Sequence, residues 1–241
     1  MNAQNLTYDL HIHSCLSPCA ANDMTPGNIA GMAFVAGVKL IAVCDHNSAA
    51  NLPAVQKACA RHGVLLLPGI EASTAEEIHM LCYFANLAAA QDMSELLYKK
   101  LPAIPCREEY FGEQIIMNEN DEETGRVKNL LINATSLPLG EMVCEVEKRG
   151  GVCIPAHIDR SSESILSALG TMPPTPHFPA VELANPARRE EYLRLGHITE
   201  KTEILLSSDA HYLENIATEK RVLPSNSVLW PLVQQVMASQ A

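Results

Sequence analysis

Apolar and polar positions along the 241-residue chain fall into two kinds of segment that alternate. Nearly continuous apolar runs at 38–44, 64–70, 78–84, 152–156 and 204–208 read as strands, several buried on both faces. Residues 6–10, apolar and β-favouring, read as a further short buried strand near the N-terminus. Between these runs lie segments with helical start and stop signals. Thr25 caps a helix that has Pro26 at its first position, a body at 28–36 and Gly37 as its stop. Residues 49–61 form a second helix ended by His62-Gly63, and 139–149 a third stopped by Gly150-Gly151. Short helices follow at 161–169 and 187–195, with a strand at 180–183 between them and an apolar-periodic helix at 228–238 after them. Strand and helix in regular alternation predict a parallel α/β architecture.

Residues 86–140 interrupt that rhythm. A helix is expected at 93–101, broken by Pro102 and Pro105. Residues 108–126 are rich in acids and carry the turn-like Asn118-Glu119-Asn120-Asp121, so they read as a hairpin excursion with a solvated face. Pro173, Pro174, Pro176 and Pro179 make a stiff loop. The length suits a single domain, 1–241, carrying this one irregular excursion.

Composition narrows the class. Hydrophobic residues make up 47% and charged residues 19%, enough for a sizeable core and unlike a disordered chain. A net charge of −11 argues against a surface whose own field gathers nucleic acid, although bound divalent ions reverse the sign locally. None of the eight Cys forms a Cys-x-x-Cys pair, and Cys44, Cys82 and Cys153 sit in apolar runs as small hydrophobes. Residues 1–10 lack a secretory pattern and no apolar run approaches a membrane span, so a reduced, cytoplasmic protein without a membrane partner is expected.

The chemistry is concentrated at strand ends. His11 and His13, two apart on an extended segment, point to one side. Alone they are better explained by a polar strand face. The chain also supplies Asp45-His46, Glu71, His157 and Asp209-x-His211 at or just after strand ends, and His79 near the start of a strand. Six of the nine His fall in this set; His62 and His197 lie at helix ends and His177 in the proline-rich loop. In parallel α/β sheets, carboxyl ends of strands share one face, so these residues can meet. Imidazole and carboxylate suit Zn, Mn or Fe, and a carboxylate such as Glu71 can bridge two ions. Eight or nine ligands suit two or three divalent ions, an arrangement well matched to phosphate-ester hydrolysis by a metal-activated water. Arg160, three residues after His157, is placed to grip a phosphate oxygen or to pair with Glu163.

The ordered motifs Asp9-Leu10-His11-Ile12-His13-Ser14, Val43-Cys44-Asp45-His46-Asn47, Pro68-Gly69-Ile70-Glu71 with His79, Ile154-Pro155-Ala156-His157 and Ser208-Asp209-Ala210-His211 span the chain. In this the sequence resembles the polymerase and histidinol phosphatase (PHP) superfamily of metal-dependent phosphoesterases. The resemblance implies a distorted (β/α)7 barrel with a di- or trinuclear centre at the C-terminal ends of the strands. It implies His11, His13, Glu71 and Asp209 around one ion and Glu71, His79 and His157 around a second. It implies His46 and His211 at a third, completed by the loop after His13. Asp45 is either a third-site ligand or a support that orients an imidazole. The loop departs from the family pattern: it offers Cys19, which suits Zn or Fe, or Asp23, which suits Mn or Mg. The expected activity is hydrolysis of a small phosphomonoester or phosphodiester, such as a nucleotide. Without a basic stripe or many exposed aromatics, long nucleic acid is not expected as a partner. The alternatives are a nuclease or nucleotide phosphatase, a non-catalytic metal-binding regulatory domain, and an amidohydrolase-type enzyme. The last usually needs a bridging Lys carbamate, and no Lys lies at a strand end.

Overall fold

The computed structural model describes residues 6–217, 219 and 221–240. Strand β1 (Leu6–Ile12) leads through a loop into α1 (Pro26–Ala36). The Thr25 hydroxyl accepts the Asn28 amide at 3.3 Å, and Gly37 ends the helix with φ of 75°, as the start and stop signals predict. Next come β2 (Leu40–Val43), α2 (Leu52–His62), β3 (Leu65–Leu66), β4 (Gly69–Ser73) and β5 (His79–Tyr83). The excursion holds α3 (Leu87–Lys100), the single turn α4 (Glu108–Phe111) and the hairpin β6 (Ile115–Met117) and β7 (Glu123–Arg126). The chain then runs through α5 (Leu139–Lys148), β8 (Val152–Pro155), α6 (Ile165–Leu169), β9 (Ala180–Glu182) and α7 (Arg189–Leu195). It closes with β10 (Glu203–Leu205), β11 (Arg221–Leu223) and α8 (Trp230–Ser239).

The result is a mixed α/β fold, not a wholly parallel one. β1, β2 and β3 pair in parallel, β11 joins β1 antiparallel, and β9 pairs with β10 in parallel. The ladder β4-β5-β8 is antiparallel throughout. The reason is the short link between β4 and β5, residues 74–78, since a parallel return needs a dozen or more residues. The apolar run 64–70 also breaks in two at Pro68, which has no N–H to donate to a ladder. Just beyond, Gly69 passes so close to β2 that an added Cβ would lie 2.5 Å from Cys44 Sγ. Among the described residues these ladders do not close into a barrel. They are joined by single parallel bridges, Ile12 to Ala210 and His46 to Glu71, and by the Ile158 amide donating to the Glu182 carbonyl at 3.0 Å.

Alternating strand residues feed two apolar clusters. Ile41, Val43, Met80 and Cys82 pack with Ile29, Val55, Met93 and Met142 from α1, α2, α3 and α5. Leu40, Ala42, Leu81 and Tyr83 pack with Leu232, Val233 and Val236 of α8. On β1, Leu10 belongs to the second cluster yet Ile12 belongs to the first. Pairing with β2 slips between Asp9 and Ile12, an irregularity that turns the strand over. His11 and His13, opposite Ile12, are thereby directed away from the helices. No helix among the described residues is long and apolar enough to cross a membrane.

Candidate metal centre

Side chains from the ends of β1, β2 and β8 and from the start of β5 meet around Glu71, in the middle of β4. Its Oε1 lies 3.0 Å from His79 Nδ1, 3.0 Å from His157 Nε2 and 3.4 Å from His11 Nε2. Its Oε2 lies 3.0 Å from His46 Nδ1 and 3.4 Å from His13 Nε2. His79 reaches the group from the beginning of β5 because β5 runs antiparallel to β4, which brings that beginning beside the end of β4. Asp209 Oδ1 is 3.2 Å from His13 Nε2 and 3.4 Å from His11 Nε2, and the His211 ring stacks on that of His13 at 4.2 Å between centroids. Three groups place their ligand atoms within 4.8 Å of one another: His11, His13 and Glu71; His46, Glu71 and His79; His13, His46 and His211. The six His, Glu71 and Asp209 therefore lie in one cluster. His46 stands between groups, beside Glu71 and His79 as well as beside His13 and His211.

The donor set fits divalent ions. Two nitrogens held by one tetrahedral ion at ~2.0–2.1 Å stand about 3.3 Å apart. His11 Nε2 and His13 Nε2 are 3.2 Å apart. Asp209 is nearly buried: its Oδ2 meets the Arg160 guanidinium and its Oδ1 faces the His11 and His13 rings, but neither oxygen accepts a hydrogen bond of good geometry among the described residues. Glu71 and Glu182 are also buried, and three carboxylates gathered in one buried cluster are costly to hold unless cations neutralise them. The backbone is strained here too: His157, Asp209, Asn47 and Glu163 have φ of 26°, 50°, 51° and 56°.

Electrostatics divide the imidazoles. Burial pushes His46 down to about 3 and His211 down to about 4, which leaves both as neutral donors. Burial acts the same way on His11 and His13, but is outweighed there. Asp209, Glu182 and Glu71 hold His11 well above its ordinary value, and Asp209 and Glu71 raise His13 to about 9. Burial would raise Glu71, yet the charges of His79 and His11 hold it well below the usual carboxylate range.

The remaining candidates take different places. Asp45 does not face the cluster: its Oδ1 accepts the Ser14 amide at 2.8 Å and the Ser17 hydroxyl at 2.7 Å, and its Oδ2 accepts the Ser14 hydroxyl at 2.6 Å. The same Ser17 hydroxyl lies 3.0 Å from His13 Nδ1, so Asp45 fixes that ring through Ser17. Arg160 reaches Asp209 Oδ2 at 2.5 Å from a half-exposed position at the pocket rim, rather than pairing with Glu163. Cys19 lines the pocket, with Sγ 3.3 Å from His46 Nε2. Asp23 is exposed and outside the pocket lining.

Sequence reasoning missed Glu182. Its carboxylate is 2% exposed, faces His11 Nδ1 at 3.1 and 3.2 Å and accepts the His157 amide at 3.0 Å. A single acid in the otherwise apolar Ala180-Val181-Glu182-Leu183 was the available signal. A carboxylate behind a ligating His fixes its tautomer and basicity. Glu182→Gln keeps an acceptor for the His157 amide but removes the charge behind His11. It is expected to weaken metal affinity about 10- to 100-fold, read by calorimetric metal titration; unchanged affinity would make Glu182 purely structural.

No family model matches the chain. A 5'-3' exoribonuclease of Haemophilus influenzae is 34% identical over 67 residues, 28% of this chain and 23% of that protein. Among solved structures, the lesion-specific endonuclease PfuEndoQ from Pyrococcus furiosus is 19% identical, with a TM-score of 0.63 over 95% of this chain and 55% of that one. A structure of endonuclease Q with a 27-mer duplex, an abasic lesion at its active site, is 17% identical with a TM-score of 0.55, covering 95% and 56%. A protein provisionally named a metal-dependent phosphoesterase, from Bifidobacterium adolescentis, is 17% identical with a TM-score of 0.58, covering 96% and 95%. The chain thus spans less than a quarter of the exoribonuclease and little more than half of the endonuclease chains. These structures share the fold.

The expectation of a small phosphorylated substrate without long nucleic acid is overturned by two of these likenesses, to an exoribonuclease and to an endonuclease seen on a duplex. Its physical premise was weak. A net charge of −11 describes the far field, whereas binding of a polyanion depends on local charge, which bound divalent ions reverse. Aromatics are also more exposed than the sequence implied, Tyr110 at 74% and Phe111 at 42%.

Proposed function

We propose that the chain is a metal-dependent phosphoesterase of the PHP type that hydrolyses phosphodiester bonds of nucleic acid. The observation that carries this is one buried carboxylate, Glu71, within 3.4 Å of five imidazoles, two of which also face Asp209. The names of the relatives, nucleases and a phosphoesterase, support the choice of a phosphate ester and of a polynucleotide. The bridges Ile12 to Ala210 and His46 to Glu71 support treating the ladders as pieces of a distorted (β/α)7 barrel.

In this proposal His11, His13, His46, Glu71, His79, His157, Asp209 and His211 hold two or three divalent ions, Zn, Mn or Fe. When bound, such ions supply Lewis-acid polarisation of the phosphate and a more acidic water. Glu182 holds the His11 ring from behind, and Asp45 with Ser17 holds the His13 ring. Arg160, planar and permanently charged, leaves Asp209 to take two non-bridging phosphate oxygens in a bidentate contact. The cavity beside it is only about 180 Å³, room for a phosphate with its first substituents and little water.

The test is the protein loaded separately with Mn, Zn and Fe, at confirmed occupancy, on end-labelled single-stranded RNA, single-stranded DNA and an abasic duplex, with bis(p-nitrophenyl) phosphate alongside. Metal-dependent cleavage of at least one polynucleotide is expected. Hydrolysis of the small diester with every polynucleotide left intact would overturn the nucleic-acid assignment, and no turnover of any ester would overturn the enzyme.

A further inference from the structure

A second concavity, about 600 Å³, opens beside the metal pocket in the excursion. Ile104 and Leu130 line it with the ring residues Tyr110 and Phe111 of α4, and Arg107 and Asn133 supply polar groups. Tyr110 is 74%, Ile104 49% and Phe111 42% exposed, an unusual amount of bare ring and aliphatic surface for one turn of chain.

Three contacts fix this groove against the metal pocket. Gly112, directly after α4, has φ of 91° and packs on Pro18, whose carbonyl oxygen an added Cβ would overlap. The next residue, Cys19, lines the metal pocket. On the other side the Asn47 side-chain amide donates to the Leu131 and Asn133 carbonyls at 2.7 and 3.0 Å. Between those two carbonyls sits Ile132, which lines the metal pocket while Asn133 lines the groove. Successive Cα atoms are about 3.8 Å apart, so the two concavities share a wall one residue thick. Asn47 immediately follows His46, and therefore ties the groove rigidly to the cluster.

Charge fits a phosphorylated occupant. Arg107, the one charged residue lining the groove, enters no ion pair among the described residues; of the two acids that follow it, Glu108 is taken by Arg126 at 2.8 Å and Glu109 is not part of the lining. We propose that this groove is a nucleobase subsite: a base neighbouring the scissile phosphate stacks on Tyr110 and Phe111, with Arg107 against its ring or its phosphate. The proposal rests on the nucleic-acid substrate inferred above and names where its specificity for a polynucleotide arises. Exposed rings accept any base, because every base has a π-face, and a guanidinium adds stacking and charge.

The test compares kcat and KM of the metal-loaded protein on a short single-stranded oligonucleotide and on the same strand with abasic residues flanking the cleaved bond. The wild-type protein is expected to favour the base-bearing strand through KM by about 10- to 100-fold, the range that base–aromatic stacking gives. In Tyr110→Ala/Phe111→Ala that preference should fall towards one, and Tyr110→Phe/Phe111→Tyr should restore it, which separates stacking from loss of fold. A wild type without the preference, or an alanine variant that keeps it, would overturn the subsite while leaving the nuclease standing. A wild type that cuts the small diester but neither strand would overturn the nucleic-acid substrate itself, and the subsite with it.

Discussion

Glu71→Ala should reduce turnover of any phosphate ester by at least about a thousandfold and lower the bound metal by at least one ion. The magnitude follows from what the residue holds together. Its two oxygens sit 3.0–3.4 Å from five imidazoles drawn from β1, the end of β2, the start of β5 and the end of β8. No other group in the cluster touches as many of the rings, so its removal leaves the His donors without the carboxylate that can bridge ions. Losing several kcal/mol of charge stabilisation at a phosphoryl centre, at 1.36 kcal/mol per tenfold in rate, gives about three decades. Glu71→Gln is the companion variant: it keeps the volume and removes the charge, and should lose metal with less effect on the fold. The measurements are kcat, metal content by mass spectrometry and the circular dichroism spectrum. Activity within tenfold of wild type at full metal content would remove Glu71 from the centre.

What was legible in the sequence was what local spacing determines. The spacing of His11 and His13 on a strand needs no tertiary knowledge, and residue type plus strand-end position was enough to gather six His and two acids that the fold brings into one cluster. The helix at 26–36 was readable because Thr25, Pro26 and Gly37 each act within one turn. The misreadings lie where non-local geometry decides. The run 64–70 looks continuous by hydropathy, and Pro68, a local breaker within it, was passed over; the close approach of Gly69 to Cys44, just past β2, is the part that only the fold reveals. The direction of β5 depends on the length of a turn, and that direction makes the start of the strand, rather than its end, the place for His79. β11 is three residues long and gains its identity from pairing with β1. Glu182 is one acid in a three-residue strand, and what makes it functional is its distance to His11, 171 positions away in the chain. Net charge misled most, because it averages over the whole surface and is blind to local features such as the exposed rings of Tyr110 and Phe111 beside Arg107.

Stripping the protein with a chelator should lower Tm by about 8–16 °C and abolish activity, and adding back Mn, Zn or Fe should restore both. An ion that binds only the folded state stabilises it by about 4.1 kcal/mol at a concentration 1,000 times Kd. For a chain of this size each kcal/mol moves Tm by roughly 2–4 °C. The size of the effect should also depend on pH in a definite direction. In the metal-free centre burial opposes protonation of His13, but Asp209 and Glu71 more than offset it and raise the ring to about 9. The folded value lies above the unfolded one of ~6.5. Its contribution to stability is therefore fully present below ~6.5 and is lost as pH rises through about 9. A proton on His13 thus does part of the metal's work at low pH, and must leave before the ring can ligate. The rise in Tm on adding metal should consequently be larger at pH 9 than at pH 6.5, read by thermal melts at both values with and without ions. A rise that is absent at both, or that shrinks as pH increases, would show that the cluster is held together by its own protons and not by a metal.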